Sequence, residues 1–99
     1  MDSMISSFLD QYNLHCSAVA RYIDLVSEVG ELGKEILSST EYGKTTYSLT
    51  QETEEEMGDC LFSILSLCVE MGINPEAALN QALGKYRKRF EEKGRVSSD

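Results

Sequence analysis

The strongest constraint on the fold is a run of apolar residues that recur every three or four positions in the first half of the chain. Between Leu14 and Ser38 they follow one another without a break: Ala18, Tyr22, Leu25, Val29, Leu32 and Ile36. At about 100° per residue, these side chains fall in one sector of a helix roughly 80° wide. A single apolar sector is typical of an amphipathic helix packed on one side. The pattern therefore predicts a long helix from Leu14 to Ser38.

Helical patterns are also found on both sides of this helix. The segment Ser3–Tyr12 places its apolar residues on one side and predicts a short N-terminal helix. Ser48-x-x-Gln51 resembles a capping box, in which the side chain of each residue accepts a hydrogen bond from the backbone N–H of the other. The box would begin a helix that runs to Met71 and ends at Gly72, a residue type favoured just after a helix.

The last helix is predicted from the proline near its start. Asn74 suits the N-cap and Pro75 suits the first helical position, and the helix would continue to about Lys93. Residues 38–49 are rich in Ser, Thr, Tyr and Gly and lack a helical period, so they predict a loop. No segment reads as a β-strand. We therefore predict an all-α fold, an antiparallel helical bundle of one short and three longer helices.

Length and composition fit one small domain. The 99 residues have room for a single domain over 1–99, with a core at about 14–94 and a flexible tail at 95–99. Charged residues are 26% and apolar residues 41%, and no apolar run is long enough to cross a membrane. The N-terminus lacks the basic segment of a signal peptide. The cysteines lack metal-binding spacing and indicate a reducing compartment, the cytoplasm: Cys16, Cys60 and Cys68.

The net charge argues against one class of partner. The chain has 9 basic and 17 acidic residues, which gives a net charge of −8. Proteins that bind DNA or RNA usually carry a basic patch that neutralises phosphates. We therefore expect no nucleic-acid polymer as a partner. A nucleotide is still compatible with this charge, because it needs only a few local cations and a metal ion.

The third predicted helix is apolar over more than half of its circumference. One polar strip interrupts it: Glu52, Glu56, Asp59, Ser63, Ser66 and Glu70. A helix this apolar is covered on more than one side, and a chain of this length has few elements that can cover it. We predict a homodimer or homotetramer built around Leu61, Leu65 and Cys68. The alternative is a central helix inside a self-sufficient bundle.

Two pairs of acidic residues are the candidates for a functional site. Glu28-x-x-Glu31 and Glu56-x-x-Asp59 have i,i+3 spacing, which places both side chains of a pair on the same side of a helix. Each pair adjoins an apolar stripe, where an uncompensated charge is costly. On two helices packed side by side, the four carboxylates would form a cage of the hard oxygen ligands that Mg²⁺ prefers.

Spacing alone does not establish a metal site. The chain contains three acid-x-x-acid pairs, about as many as 17 acids among 99 positions produce by chance. Placement adds weight, because the acids of the second helix share a sector about 60° wide. Glu56 and Asp59 also lie in the gap of an otherwise apolar surface. The alternative, that both pairs are solvated acidic faces, stays open.

Cations on the last helix complement these acids. The helix has an apolar stripe: Leu79, Ala82, Leu83, Tyr86 and Phe90. Lys85 and Arg89, spaced i,i+4, lie on one flank of it and could contact phosphate oxygens, Arg89 as a fork and Lys85 as a point charge. The alternative is that they are cations placed favourably near a helix C-terminus.

Together these motifs resemble the MazG-like, all-α nucleoside triphosphate pyrophosphohydrolases. That family carries E-x-x-E, a spacer and E-x-x-D, matched here by SEVGELGKEIL and EEMGDCLFSILSL around a spacer at residues 32–55. GINPEAAL and KYRKRFEEKG are similar to the family's last helix. The resemblance covers about residues 14–94. Two departures are Ser27, where many relatives have an acid, and Leu83, where many have asparagine.

The resemblance implies an enzyme. It would cleave a nucleoside triphosphate between the α and β phosphates, with Mg²⁺ as cofactor and Mn²⁺ as the alternative. The implied metal ligands are Glu28, Glu31, Glu56 and Asp59. Either Glu28 or Glu31 would be the catalytic base that deprotonates water, and Lys85 and Arg89 would bind phosphate. Family members are usually oligomers with sites near subunit contacts.

Two other functions remain open. A related enzyme would use the same metal cage on a narrower substrate, such as dUTP, dCTP or phosphoribosyl-ATP. A helical oligomerisation or regulatory module without catalysis would belong to a different class. Loss of a metal ligand would be its expected sign, and all four acids are present.

Overall fold

The computed structural model describes residues 2–93, which form four α-helices and no β-strand. The helices are α1 (Asp2–Gln11), α2 (Ala18–Ser39), α3 (Gln51–Met71) and α4 (Pro75–Lys93). The predicted all-α class, with one short and three longer helices, is confirmed for this range. The predicted tail at 95–99 lies outside the described residues. None of the described helices is long and apolar enough to span a lipid bilayer.

Two predicted helix starts are wrong by a few residues. Helix α2 begins at Ala18 rather than Leu14, because Ser17 is its N-cap and the Ser17 Oγ accepts from the Ala20 N–H at 3.1 Å. Helix α3 is capped by Thr50 rather than by the predicted Ser48 box. The Thr50 Oγ1 accepts from the backbone N–H of Thr53 at 3.1 Å and satisfies a donor that the first turn leaves without an intrahelical partner.

The junction between α3 and α4 follows the prediction. Gly72 ends α3 in the left-handed region at φ 70°, and the next N–H, from Ile73, bonds the Cys68 carbonyl at 2.9 Å. The Asn74 Oδ1 then accepts from the Ala77 N–H at 2.9 Å and caps α4. Only a residue that tolerates positive φ fits position 72, which is why α3 ends at a glycine.

Helices α1 and α2 pack against α3, whereas α4 makes only slight contact with the rest of the chain. The radius of gyration is 16.6 Å, compared with about 13 Å for a compact domain of this size. The buried apolar core is correspondingly small and consists of Leu9, Cys60 and Leu65. All four helices of the predicted bundle are present, but within one chain α4 does not join it.

A polar cluster at one end of the α2–α3 pair holds the α1–α2 linker in place. We call it the His15 clasp, and its members are His15, Asp10, Glu70 and the backbone of Cys16. The His15 Nε2 lies 2.6 Å from the Asp10 Oδ1, and the His15 Nδ1 lies 3.1 Å from the Glu70 Oε1. The Cys16 N–H donates to the Glu70 Oε2 at 2.8 Å. The clasp fixes the start of α2 beside the end of α3, so the two helices run antiparallel.

The clasp requires a charged imidazole. Both ring nitrogens of His15 face carboxylates, and a ring donates from both nitrogens only when it is protonated. The hydrogen bond to Asp10, followed by that to Glu70, accordingly raises the pKa of His15 above its ordinary 6.5. The Cys16 N–H, followed by the His15 ring, lowers the pKa of the Glu70 carboxyl below its ordinary 4.5.

The stability contributed by the clasp should depend on pH. Because folding raises the pKa of His15, the stability that His15 contributes is complete below pH 6.5 and is lost as the pH rises through the raised pKa. Because folding lowers the pKa of Glu70, the stability that Glu70 contributes is complete above pH 4.5 and is lost as the pH falls through the lowered pKa. The midpoint of thermal unfolding of His15→Gln should therefore lie below that of the parent protein at pH 6 and approach it at pH 9. An equal difference between the two midpoints at both pH values would contradict this prediction.

Candidate metal centre

The packing of α2 on α3 brings three carboxylates together. Glu28 of α2 and Glu56 and Asp59 of α3 each present one oxygen such that all three oxygens lie within 4.8 Å of one another. We call these residues the carboxylate trio. Glu28 and Glu56 are partly buried, and Asp59 is exposed. The predicted convergence of acids from two helices is thus present in the structure for three of the four candidates.

The fourth candidate, Glu31, lies outside the trio. It is one turn beyond Glu28 on α2, and its Oε2 lies 3.7 Å from the Nζ of Lys34. The negative charge of Glu31 still reaches the site, because it contributes to the raised pKa of Glu56. The structure therefore places Glu31 at the edge of the carboxylate trio, where its charge is felt but its oxygens are not gathered with the others.

Glu56 carries the electrostatic cost of this arrangement. Burial is the largest cause of its raised pKa, followed by repulsion from Asp59 and Glu28. Burial of Cys60, followed by repulsion from the three trio members, raises the pKa of the Cys60 thiol, and this side chain belongs to the small apolar core.

The trio fits a hard divalent cation. The Oε2 of Glu56 is buried and has no hydrogen-bond partner, and within residues 2–93 no lysine or arginine forms an ion pair with any trio member. A buried carboxylate without a partner is costly, and a cation removes both the desolvation and the repulsion. Oxygen-only ligands suit Mg²⁺, Ca²⁺ or Mn²⁺ rather than zinc or copper.

The predicted phosphate-binding cations lie elsewhere in the single chain. Lys85 and Arg89 are on α4, where the Lys85 Nζ lies 5.1 Å and the Arg89 Cζ 5.8 Å from the centre of the Tyr86 ring. The Nη1 of Arg89 is buried and lacks a partner. Since α4 makes only slight contact with the other helices, one chain does not gather these cations with the trio.

A cavity of about 380 Å³ adjoins the trio between α2 and α3. Its lining includes two trio members and four further residues: Arg21, Asp24, Glu28, Asp59, Phe62 and Ser63. Sequence reasoning missed Arg21. A signal was available, because Arg21 is a cation in the first turns of a helix that has no acid in its first turn, and the helix dipole disfavours cations there.

Replacing Glu56 with glutamine should stabilise the metal-free protein. The neutral amide removes a desolvated charge and its repulsion from Glu28 and Asp59, so the thermal midpoint of Glu56→Gln in EDTA should exceed that of the parent. The same variant should lose the rise in midpoint that Mg²⁺ gives the parent. Glu91→Gln, which removes an exposed acid of α4, is the charge-matched control. A lower midpoint for metal-free Glu56→Gln would contradict the electrostatic account.

The chain is similar to known proteins over most of its length. The family described as "MazG nucleotide pyrophosphohydrolase domain" matches residues 18–93. The nucleoside triphosphate pyrophosphohydrolase/pyrophosphatase MazG of Thermotoga maritima is 46% identical over 41 residues, which are 41% of this chain and 16% of that protein. The uncharacterized protein YpjD of Bacillus subtilis is 29% identical over 96 residues, 94% of this chain and 82% of its own length. No solved structure matches significantly. The family match covers all three long helices and the complete trio, and the chain belongs to the MazG nucleotide pyrophosphohydrolase domain family.

Proposed function

We propose that the chain hydrolyses nucleoside triphosphates between the α and β phosphates, with Mg²⁺ as cofactor and Mn²⁺ as a substitute. The observation that carries this proposal is the carboxylate trio with its buried, unpartnered Glu56 oxygen. Family membership supports nucleotide pyrophosphohydrolase chemistry. The name of the Thermotoga maritima relative supports a triphosphate substrate, although the chain spans only 16% of that protein's length.

Each acid has a role in this proposal. Glu28, Glu56 and Asp59 would hold the cation, which when bound supplies charge neutralisation for the phosphates and lowers the pKa of water. Glu31, at the edge of the trio, would be a further ligand or the base, and Glu28 is the other candidate for the base. The base accepts the proton of the attacking water, the new phosphorus–oxygen bond yields a nucleoside monophosphate, and the broken α–β anhydride releases pyrophosphate.

We infer that a second copy of the chain completes the site, in a homodimer or homotetramer. Helix α4 carries five of the nine Lys and Arg residues in the chain, and its stripe residues Leu79 and Phe90 are more than half exposed. Helices α2 and α3 are acidic and also expose apolar residues. Charge complementarity and the slight contact of α4 within its own chain support docking of α4 on the α2–α3 pair of a second copy. Lys85 and Arg89 of that copy would then bind the phosphates.

The available apolar surface supports such an assembly. A groove on α2 and α3 has only apolar lining: Ala18, Val19, Tyr22, Leu67 and Met71. Of the predicted interface residues, Leu61 is 52% exposed, whereas Leu65 is buried within its own chain. Leu65 already belongs to the small core of its own chain, so Leu61 is the more accessible of these two residues for a second copy. A contiguous apolar groove of this kind often marks an interaction site.

Purified protein with Mg²⁺ and a panel of nucleoside triphosphates should release pyrophosphate rather than orthophosphate. Glu56→Gln should lower kcat/KM by about 10²-fold or more, because the cation and its charge stabilisation are lost, while circular dichroism stays unchanged. Release of pyrophosphate and of orthophosphate is measured separately. Orthophosphate alone would refute α–β cleavage. Turnover of a single triphosphate would favour the narrower substrates dUTP, dCTP or phosphoribosyl-ATP, and no turnover would favour a non-catalytic oligomerisation module.

Two impaired variants should restore activity when they are mixed. Arg89→Ala should raise KM by about 10- to 100-fold, the usual effect of losing a charged hydrogen bond. If Arg89 acts on a second copy, a mixed dimer of Arg89→Ala with Glu56→Gln has one intact site, and random pairing restores roughly a quarter of the parent sites. The measurement is pyrophosphate release after subunit exchange, with the mass of the oligomer checked by light scattering.

The control for this mixture is Arg87→Ala, which removes a neighbouring exposed cation of α4 and should keep the parent KM. A mixture whose activity is only the average of its two components would refute the shared site. A monomeric parent of 11.1 kDa would refute the assembly itself. The cytoplasmic location stays a prediction.

A further inference from the structure

We propose that the cavity beside the carboxylate trio receives the nucleobase of the substrate, and that Arg21 donates to a carbonyl oxygen of that base. The favoured substrates are then triphosphates of uracil, thymine, cytosine or guanine, and adenine is disfavoured because it lacks a carbonyl group. This inference rests on the proposed function, since the trio and its cation must fix the phosphates at one end of the cavity.

The spacing along α2 suits a nucleotide. Arg21 precedes Glu28 by seven residues, which is about 10 Å along a helix that rises 1.5 Å per residue. Both residues line the same cavity, with Glu28 at the phosphate end and Arg21 at the far end. A nucleotide whose phosphates lie at the trio therefore projects its sugar and base toward Arg21.

The lining at the far end is that of a base rather than of another phosphate. The Phe62 ring is partly buried and supplies an apolar wall, and the Ser63 side chain adds a hydroxyl group. Acids outnumber cations along the lining, because Asp24, Glu28 and Asp59 face a single arginine. This excess of negative charge disfavours a further phosphate outside the reach of the metal. A neutral ring with polar edges fits an apolar wall and a few polar groups.

Arg21 has donors that the chain does not satisfy. The residue is only 8% exposed, yet its Nε has no hydrogen-bond partner. Its Nη1 lies 3.8 Å from the Asp24 Oδ2, which is too long for a hydrogen bond. Buried donors are almost always satisfied, and arginine readily donates to the carbonyl edge of a base. A carbonyl oxygen in the cavity would accept from Nη1, which, unlike Nε, is not enclosed by the protein.

The guanidinium is already held at the correct place. Its Nη2 donates to the Leu14 carbonyl at 2.6 Å, and its Cζ lies 5.7 Å from the centre of the Phe62 ring. These contacts also give Arg21 a structural role, because the Leu14 bond fastens the α1–α2 linker. A test must therefore separate recognition of the base from retention of the linker. The His15 clasp makes this separation possible, because it fastens the same linker but does not line the cavity.

The experiment compares kcat/KM for UTP and ATP in the parent and three variants. The parent should favour UTP, and Arg21→Met should lower the UTP value by about 10- to 100-fold while leaving the ATP value nearly unchanged. Arg21→Lys should restore part of the preference, because it keeps a donor and the charge. His15→Gln loosens the linker and should keep the parent ratio. An equal loss for both nucleotides in Arg21→Met, or the same change of ratio in His15→Gln, would overturn the assignment.

A binding measurement separates this inference from the proposed function. Calorimetry with Mg²⁺ compares non-hydrolysable α,β-methylene UTP with inorganic tripolyphosphate, which lacks a base. Arg21→Met should lower the affinity for the nucleotide by the same 10- to 100-fold and leave the affinity for tripolyphosphate unchanged. If that pattern holds without turnover, the proposed function fails and base recognition stands. Turnover with a nucleotide affinity that does not depend on Arg21 would overturn base recognition alone, and a lack of both turnover and nucleotide binding would overturn both.

Discussion

The contact between α2 and α3 is the interaction on which the rest of the structure depends. It buries the small apolar core around Cys60 and Leu65, and it also forces Glu28 toward Glu56 and Asp59. The apolar packing and the acidic repulsion therefore act across the same interface. A few buried side chains offer limited stabilisation against like charges in a partly desolvated position. An arrangement of this kind is expected where a bound cation is part of the native state.

Within one chain, the cations of α4 lie apart from the carboxylate trio. The α2–α3 pair is strongly acidic, and the nearest arginine, Arg21, is already engaged with the Leu14 carbonyl and the Phe62 ring. The main cationic helix, α4, extends away with its apolar stripe uncovered. An apolar stripe flanked by cations and an apolar groove flanked by acids are complementary surfaces, and complementarity of this kind favours association of two copies over collapse of one. The large radius of gyration reflects the slight contact of α4 with the other helices.

Periodicity and helix-end chemistry predicted most of this fold. The steps of three and four residues identified α2, and Gly72 with Asn74 fixed the junction before α4, because these signals are local. The pairing of Glu56 with Asp59 was predicted because i,i+3 spacing places both side chains on the same side of α3, and the packing of α2 on α3 brings Glu28 to them. The start of α2 and the position of Glu31 were not, since Cys16 is held by Glu70 across 54 positions and Glu31 pairs with Lys34 instead of turning to the trio. The role of His15 was missed because its partner Glu70 lies 55 positions away, and the role of Arg21 was missed because the cavity wall that it faces, Phe62, is on another helix.

The proposed metal binding and the proposed assembly would be energetically coupled in this arrangement. The exposed groove that would receive a second copy is formed by α2 and α3, so it exists only while those helices stay paired. A cation at the trio removes the repulsion that opposes this pairing, and it thereby stabilises the docking surface as well as the site. By reciprocity, docking of a second copy would in turn increase the affinity for the cation by the same factor.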